Sequence, residues 1–238
     1  MKDALMISAA LAAGLALSVA ADEPDYYVEY IESTNGQWID TDFKPTLLTR
    51  VEMDFQLTAT TGQSTPYGVE FGSGLWYCLY LNGTPAWAID FIHDGAKNSK
   101  GRYTQVGLPG GEAGARFMVV HDGPGRSFAI TNVESSVGLT YNMSGFYTVD
   151  GDKCDYNLPL FARVFSEATV STPGRNAKMK LFSCDIYENG VLERQFRPAV
   201  KDGVPGLWDK KNGSFYDSKT AQAFIAGKKI SGLIILLK

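Results

Sequence analysis

Three polar side chains at positions 52, 54 and 56 form the pattern in this sequence that is most able to do chemistry. Across residues 51–57, apolar residues alternate with Glu52, Asp54 and Gln56. This period of two predicts an extended strand whose polar side chains share one face, about 6.6–6.8 Å apart. Retaining glycoside hydrolysis requires two carboxyl groups about 5–5.5 Å apart, which Glu52 and Asp54 approach. Gln56 cannot donate a proton to a leaving group, so the pattern favours a polar sheet face over a catalytic one.

A second alternating run, at residues 75–81, contributes aromatic side chains. Trp76 and Tyr80 would lie on one face of this strand, and its leucines on the other. Aromatic rings stack against the flat C–H faces of sugars, whereas carboxylates and amides bind sugar hydroxyls. If the two strands share a sheet, Trp76, Tyr80, Glu52, Asp54 and Gln56 form one ligand-binding surface. The alternative is that both rings are buried under a loop or against another sheet.

The two histidines stand in identical tripeptides, His93-Asp94-Gly95 and His121-Asp122-Gly123. Paired histidines and carboxylates can bind zinc, but no third ligand follows at a diagnostic spacing. Each tripeptide also ends an apolar run and closes with glycine, which is the composition of an ordinary turn. The sequence has no Gly-x-Ser-x-Gly motif, and no cysteine near a histidine, that would indicate a nucleophilic enzyme.

Short strand-like runs separated by Gly, Pro, Asn and Asp recur along the chain, and no long stretch has the 3.6-residue apolar period of a helix. Asn82-Gly83, Asn189-Gly190 and Asn212-Gly213 predict tight hairpin turns, because both residue types tolerate a positive φ. Such spacing predicts an antiparallel sandwich or barrel. The predicted strands lie at residues 26–31, 38–40, 50–58, 68–72, 75–81, 86–92, 116–121, 127–133, 145–149, 158–165, 177–188, 191–198 and 206–209.

Residues 1–21 have the layout of a secretory signal peptide. Lys2 precedes an apolar run at residues 4–19, and small residues at 18–21 offer a cleavage site. The run is shorter than the about 20 residues that a spanning helix needs, so cleavage is favoured over a retained membrane anchor. We therefore expect a secreted, cell-surface or periplasmic protein with no stable membrane span after cleavage.

The rest of the chain is long enough for one all-β domain with its own core, expected at residues 22–229. The apolar residues 230–238 would form a closing edge strand or bind a partner. Cys78, Cys154 and Cys184 are an odd number, so at least one thiol is free, while a Cys154–Cys184 disulfide remains open. A formal net charge of −4 without any basic run argues against nucleic acid as a partner.

Five motifs resemble a known family when taken together. They are YIESTNGQWIDT at 30–41, AKMKLFSCDIYENG at 177–190, RQFRP at 194–198, GLWD at 206–209 and NGSFY at 212–216. Over residues 26–227 the chain resembles the laminin-G-like, concanavalin A-like jelly-roll domains of secreted bacterial surface proteins. The resemblance implies an all-β, two-sheet antiparallel jelly-roll sandwich. The resemblance also allows, without requiring, a calcium ion at the sandwich rim, where Asp40, Asp42, Asp90 and Asp94 offer oxygens but form no dedicated calcium motif.

That superfamily includes lectins, adhesion modules and some glycosidases, so the fold does not decide the function. Residues 52–56 resemble the Glu-x-Asp-x-Glu strand of jelly-roll glucanases, with Gln56 in place of the final Glu. The favoured function is non-catalytic recognition of a glycan or a cell-surface protein, without a required cofactor. A glycosidase that recruits a carboxylate from a neighbouring strand is the second hypothesis. A structural or adhesive surface protein is the third.

Overall fold

A computed structural model describes residues 23–34, 36–59, 64–70, 76–81, 87–91, 102–104, 113–142, 154–164, 166 and 169–231. The predicted signal segment, the Asn82-Gly83 turn, the first histidine tripeptide, the strand predicted at 145–149 and residues 232–238 lie outside these ranges. Within them the chain is all-β, and it contains no helix long and apolar enough to cross a membrane.

Eighteen strands are described, numbered here in chain order. They are β1 Tyr26–Tyr27, β2 Ile31–Ser33, β3 Ile39–Asp40, β4 Thr49–Leu57, β5 Tyr67–Glu70, β6 Trp76–Leu81, β7 Trp87–Phe91, β8 Arg102–Thr104, β9 Arg116–Asp122, β10 Ser127–Asn132, β11 Gly138–Asn142, β12 Pro159–Leu160, β13 Arg163–Val164, β14 Met179–Glu188, β15 Val191–Lys201, β16 Val204–Asp209, β17 Ser214–Tyr216 and β18 Ile225–Ala226.

The strands form two sheets. The larger one has eleven strands in the order β11-β10-β9-β4-β14-β15-β16-β17, with β1, β2 and β18 joined at its side. The smaller one has seven strands in the order β3-β12-β5-β6-β7-β8, and β13 pairs in parallel with β5. The other named pairings are antiparallel, as expected for short strands linked by tight turns.

Burial along β4 shows why this sequence forms a sandwich. Every second residue, from Thr49 to Leu57, is buried, and the four residues between them are half-exposed. The inward side chains of the larger sheet, such as Phe55, join one continuous core with Tyr67 and Leu79 of the smaller sheet. Burial of this apolar surface is the main favourable term in folding. The predicted all-β, two-sheet antiparallel jelly-roll sandwich is confirmed.

All three cysteines are buried, and the Cys154–Cys184 disulfide that the sequence left open is not formed. Cys78 and Cys184 lie in β6 and β14, where they pack as small buried hydrophobic residues. Burial raises the pKa of the Cys154 and Cys184 thiols well above its ordinary value. These thiols therefore stay protonated and unreactive at physiological pH.

The first and last described segments of the chain run side by side at one end of the larger sheet. β1 pairs with Ala199 and Val200 near the end of β15, and β2 pairs with the start of β14. On their other side, β18 pairs with β2, and the Ile230 N–H donates to the carbonyl of Tyr27 at 3.0 Å. The amino-terminal segment therefore lies between β15 and the carboxy-terminal segment.

The turns between strands follow the Asn-Gly signals. Asn189 and Gly190 both have positive φ, 49° and 77°, and join Glu188 of β14 directly to Val191 of β15. This is the predicted two-residue hairpin. At Asn212-Gly213 the position is correct but the length is not, because Asp209 pairs with Ser214 and leaves a four-residue connection.

Replacing Gly190 with alanine should destabilise the protein by about 1 kcal/mol, because an L residue with a side chain is strained at a φ of 77°. A Cβ atom there would meet nothing within 4 Å, so the cost comes from the backbone alone. Urea denaturation measures this change in the free energy of unfolding. The control is Asn189→Gly, for which we expect a change near zero. Equal midpoints for Gly190→Ala and the unaltered protein would contradict the turn geometry.

Candidate functional site

The ligand-binding surface predicted from the sequence does not form as one surface. β4, which carries Glu52, Asp54 and Gln56, belongs to the larger sheet, whereas β6, which carries Trp76 and Tyr80, belongs to the smaller. The condition for a single surface, that the two strands share a sheet, is therefore not met. Tyr80 is fully buried, with the guanidinium of Arg163 at 5.2 Å from the ring centre, so this ring packs inside the protein. The side chain of Trp76 lies outside the described residues.

The polar residues of β4 lie half-exposed on the outer face of the larger sheet. Glu52 forms an ion pair with Arg50, and Asp54 accepts two hydrogen bonds from Arg116 at 2.8 and 2.7 Å. The Gln56 amide donates to the carbonyl of Gly114 at 2.6 Å. Each group thus binds a neighbour, and a role for Glu52, Asp54 and Gln56 in ligand binding stays a prediction.

A third carboxylate does enter this face from a neighbouring strand. Asp185 of β14 lies directly opposite Glu52. Its two oxygens accept hydrogen bonds from Arg197, at 2.5 and 3.0 Å. A glycosidase needs one carboxyl group that gives its proton to the leaving group. Because Glu52, Asp54 and Asp185 each lie in an ion pair with an arginine, none of them is placed for that step.

Two aromatic rings on the same outer face were not predicted from the sequence as site residues. Phe182 and Tyr30 pack edge to face at 5.7 Å. The Arg116 guanidinium lies 3.7 Å from the Phe182 ring centre, and the Lys180 ammonium lies 4.5 Å from that of Tyr30. Phe182 reaches this face because a register shift between Leu181 and Ser183 breaks the alternation of β14. Both rings already bind cations of the protein.

A concave site lies instead at the rim of the sandwich, and we name it the rim cleft. Its volume is about 470 Å³, within the range of small-molecule pockets. The loop between β3 and β4, the approach to β12 and the hairpin end of β14 and β15 form it. The lining residues are Asp42, Phe43, Lys44, Thr46, Asn157, Glu188 and Glu193.

Glu188 is fixed at the base of the rim cleft by two hydroxyl groups. Thr46 donates to one carboxylate oxygen, and Thr49 donates to the other at 2.7 Å. The Thr49 hydroxyl also accepts the Thr46 N–H at 2.8 Å, which closes a tight turn. Glu193 projects its carboxylate from the start of β15 and makes no side-chain hydrogen bond within the described residues.

Arg194 holds the loop that forms the opposite wall. Its Nε donates to the carbonyl of Thr41 at 3.0 Å, and Nη2 donates to the carbonyl of Asp42 at 2.9 Å. Asp42 has a φ of 52°, and its N–H donates to the Asp40 carboxylate at 2.9 Å. Fully buried Asp209 lies 3.7 Å behind the guanidinium. The wall is therefore held in one conformation before any ligand arrives.

The proposed metal ligands are only partly brought together. Asp40 and Asp42 are neighbours at the rim cleft, while the Asp90 side chain and Asp94 lie outside the described residues. Across the described ranges, no group of three or more His, Cys, Asp or Glu residues could hold a metal ion.

The second histidine tripeptide ends strand β9 and opens the following turn at Gly123, which agrees with the prediction of a strand end closed by glycine. His121 points into the core and Asp122 out of it, because successive side chains of β9 face opposite ways. Asp122 accepts the Gly125 N–H at 3.1 Å, and the Gly123 N–H donates to the carbonyl of Thr49 at 2.9 Å. The two side chains therefore cannot bind one metal ion together.

No family model and no curated protein matches this chain. Among solved structures, the Ruminococcus gnavus IT-sialidase CBM40 is 14% identical, with a TM-score of 0.49 over 72% of this chain and 95% of that one. A proposed carbohydrate-binding protein from Bacteroides ovatus is 8% identical, with a TM-score of 0.49 over 86% and 62%. Scytalido-glutamic peptidase is 10% identical, with a TM-score of 0.35 over 72% and 85%.

Proposed function

We propose that this chain is a secreted, non-catalytic module that recognises a glycan, and that the rim cleft is its binding site. One observation carries the proposal: the cleft combines the half-buried ring of Phe43 with carboxylate, amide and hydroxyl side chains. Aromatic rings pack against the C–H face of a sugar, and planar polar groups bind its hydroxyls. The signal-like residues 1–21 support secretion, and the laminin-G-like motifs support a cell-surface setting.

The arrangement of the carboxylates supports recognition rather than hydrolysis. Glu52, Asp54 and Asp185 on the outer face are in ion pairs with arginines, and Glu188 accepts a hydrogen bond on each oxygen. A carboxyl group that accepts at both oxygens is not placed to protonate a leaving group. Calcium dependence stays a prediction, for which Asp40 and Asp42 are the described candidates.

A glycan array tests the proposal. The purified protein is compared with Phe43→Ala and Asn157→Ala in the rim cleft, each with calcium and with chelator. We expect either change to weaken binding about tenfold or more, the equivalent of one lost stacking contact or hydrogen bond. Asp54→Asn is the matched variant on the outer face, and Trp76→Ala tests the predicted ring.

The outcomes separate the alternatives. If only the cleft variants lose glycan binding, the rim cleft is supported as the binding site. If only Asp54→Asn loses it, the site lies on the outer face. If the protein binds no glycan on the array although its circular dichroism spectrum shows that it is folded, glycan recognition is contradicted and a protein partner is favoured. Hydrolysis of a chromogenic β-glucoside that Glu52→Gln abolishes would establish the enzyme instead.

A further inference from the structure

We infer that the rim cleft takes uncharged glycans and rejects acidic ones, such as uronates and sulfated or sialylated sugars. This inference rests on the proposed function and names the class of ligand for the same site. It follows from the balance of charge in the cleft, from the hydrogen bonds that Arg194 already makes to the protein, and from the apolar residues at the edge.

The lining side chains carry a negative formal charge. Asp42, Glu188 and Glu193 contribute three carboxylates, and Lys44 contributes one ammonium group. In the part of the chain that the structure describes, none of these three carboxylates forms an ion pair. Asp42 accepts one neutral bond, from the Asn157 amide at 3.5 Å. The field in the cleft therefore repels an anion.

Arg194, which contacts the main chain of two lining residues, does not offset this charge. Arg194 gives Nε, Nη1 and Nη2 to the carbonyls of Thr41, Glu193 and Asp42. Its charge is also balanced by Asp209, which is fully buried behind it. Recognition of a carboxylate or sulfate normally uses a free arginine fork. Here that fork is already occupied by the protein.

Apolar residues flank the charged lining. Leu48 is 44% exposed and Val191 is 58% exposed, and both lie next in the fold to residues of the cleft. Val191 is the cross-strand partner of Glu188, and the Leu48 carbonyl accepts the Asn189 N–H at 2.9 Å. With Phe43 they offer contacts to the C–H face of a sugar. An uncharged sugar satisfies these contacts and gives its hydroxyl protons to the carboxylates.

The expected discrimination is large enough to measure. A ligand carboxylate close to the lining carboxylates should bind roughly tenfold more weakly than the neutral sugar at low salt. The difference should shrink as salt is added, because screening shortens the range of the repulsion to about 3 Å at 1 M. Glu193→Gln removes one charge whose side chain makes no hydrogen bond in the described residues, so it should reduce the discrimination without harming the fold.

The test follows the backbone amide resonances of Asp42, Lys44 and Asn157 by NMR. Each of four sugars is titrated into the protein at low and at high salt. Galactose is compared with galacturonate, and glucose with glucuronate. The control variant is Glu29→Gln, which alters an exposed glutamate beside residue 228 at the opposite end of the sheet. We expect the neutral sugars to shift these resonances at concentrations about tenfold below their acids, and Glu193→Gln but not Glu29→Gln to narrow the gap.

Each outcome decides between the inference and the proposed function. Equal affinity for a sugar and its acid overturns the charge selection but leaves glycan recognition in place. Tighter binding of the acid than of the neutral sugar would reverse the expected selectivity and also overturns the charge selection. No response at the cleft resonances to any of the four sugars overturns both.

Discussion

Acid should destabilise this protein through one buried histidine. Burial lowers the pKa of His121 from 6.5 to about 3. The unfolded chain binds this proton near pH 6.5, so between pH 6.5 and 3 it carries more protons than the folded state, and the free energy of unfolding falls as pH falls. At 1.36 kcal/mol per unit, the loss through His121 reaches about 5 kcal/mol near pH 3. Its contribution is fully present above pH 6.5.

The surroundings of His121 explain why its neutral form is favoured. Its Nδ1 shares a hydrogen bond of 3.0 Å with the hydroxyl of Tyr67, and the ring of Tyr77 stacks on it at 4.4 Å. Phe128 packs edge-on at 5.8 Å. Burial also raises the pKa of both tyrosines, so neither supplies a negative charge to a protonated imidazole. A charged ring here would lose its hydration, and this desolvation disfavours the protonated imidazole.

Urea unfolding from pH 8 to pH 3.5 measures the effect. His121→Gln keeps a side chain that can bind the Tyr67 hydroxyl but cannot take up this proton. Its stability should therefore depend less steeply on pH than that of the unaltered protein below pH 6.5. Parallel curves would contradict the prediction, because the two proteins share every titratable group except the His121 imidazole. His121→Gln also assigns the His121 resonance in an NMR titration of the two histidines. In the unaltered protein, that resonance should not shift above pH 4.

Replacing Asp209 with alanine should cost about 3–5 kcal/mol, the range for breaking a buried ion pair. The Asp209 carboxylate is fully buried. It accepts the N–H groups of Gln195 and Lys211 at 2.9 and 3.0 Å, and the Asn212 amide at 2.7 Å. It also lies 3.7 Å from Arg194. Alanine leaves two main-chain donors without their acceptor and Arg194 without its counter-charge.

Denaturation midpoints at pH 7 measure this loss. Asp209→Asn keeps an oxygen for the two main-chain amides and loses the charge, so it should fall between alanine and the unaltered protein. Asp217→Ala, at an exposed aspartate in the following loop, is the matched control and should change stability by less than about 0.5 kcal/mol. Equal effects of Asp209→Ala and Asp217→Ala would show that the Arg194 anchor does not stabilise the fold.

Local signals predicted the sandwich well. The alternation at residues 51–57 reproduces the burial of β4, and Asn189-Gly190 forms the two-residue turn that its backbone freedom allows. These features depend on neighbours in sequence, which is why one chain suffices to predict them. β8, β11 and β18 were missed. β8 and β18 have only three and two residues, and β11 alternates between exposed and half-exposed residues, so none of them has a strong apolar period.

The site was predicted less well because it depends on distant pairings. Periodicity says which residues of β4 and β6 share a face, but not that the two strands belong to different sheets. The rim cleft joins residues 42–46, 157, 188 and 193, and Asp42 was its one residue considered before, as a calcium ligand. Loops hold most of these positions, and no periodicity marks a loop. The Arg194 contacts with Thr41 and Asp42 span about 150 residues of sequence.

The hydrogen bond between Tyr27 and Ile230 affects how the domain can be attached to another domain or to a surface. Any polypeptide that precedes residue 23 or follows residue 231 departs from the same end of the larger sheet. Glu193 in the rim cleft lies seven residues along β15 from Val200, the partner of Tyr26, which is roughly 23 Å of extended strand. A tether at either terminus, or insertion between two halves of a host protein, would therefore leave the cleft facing away from its support.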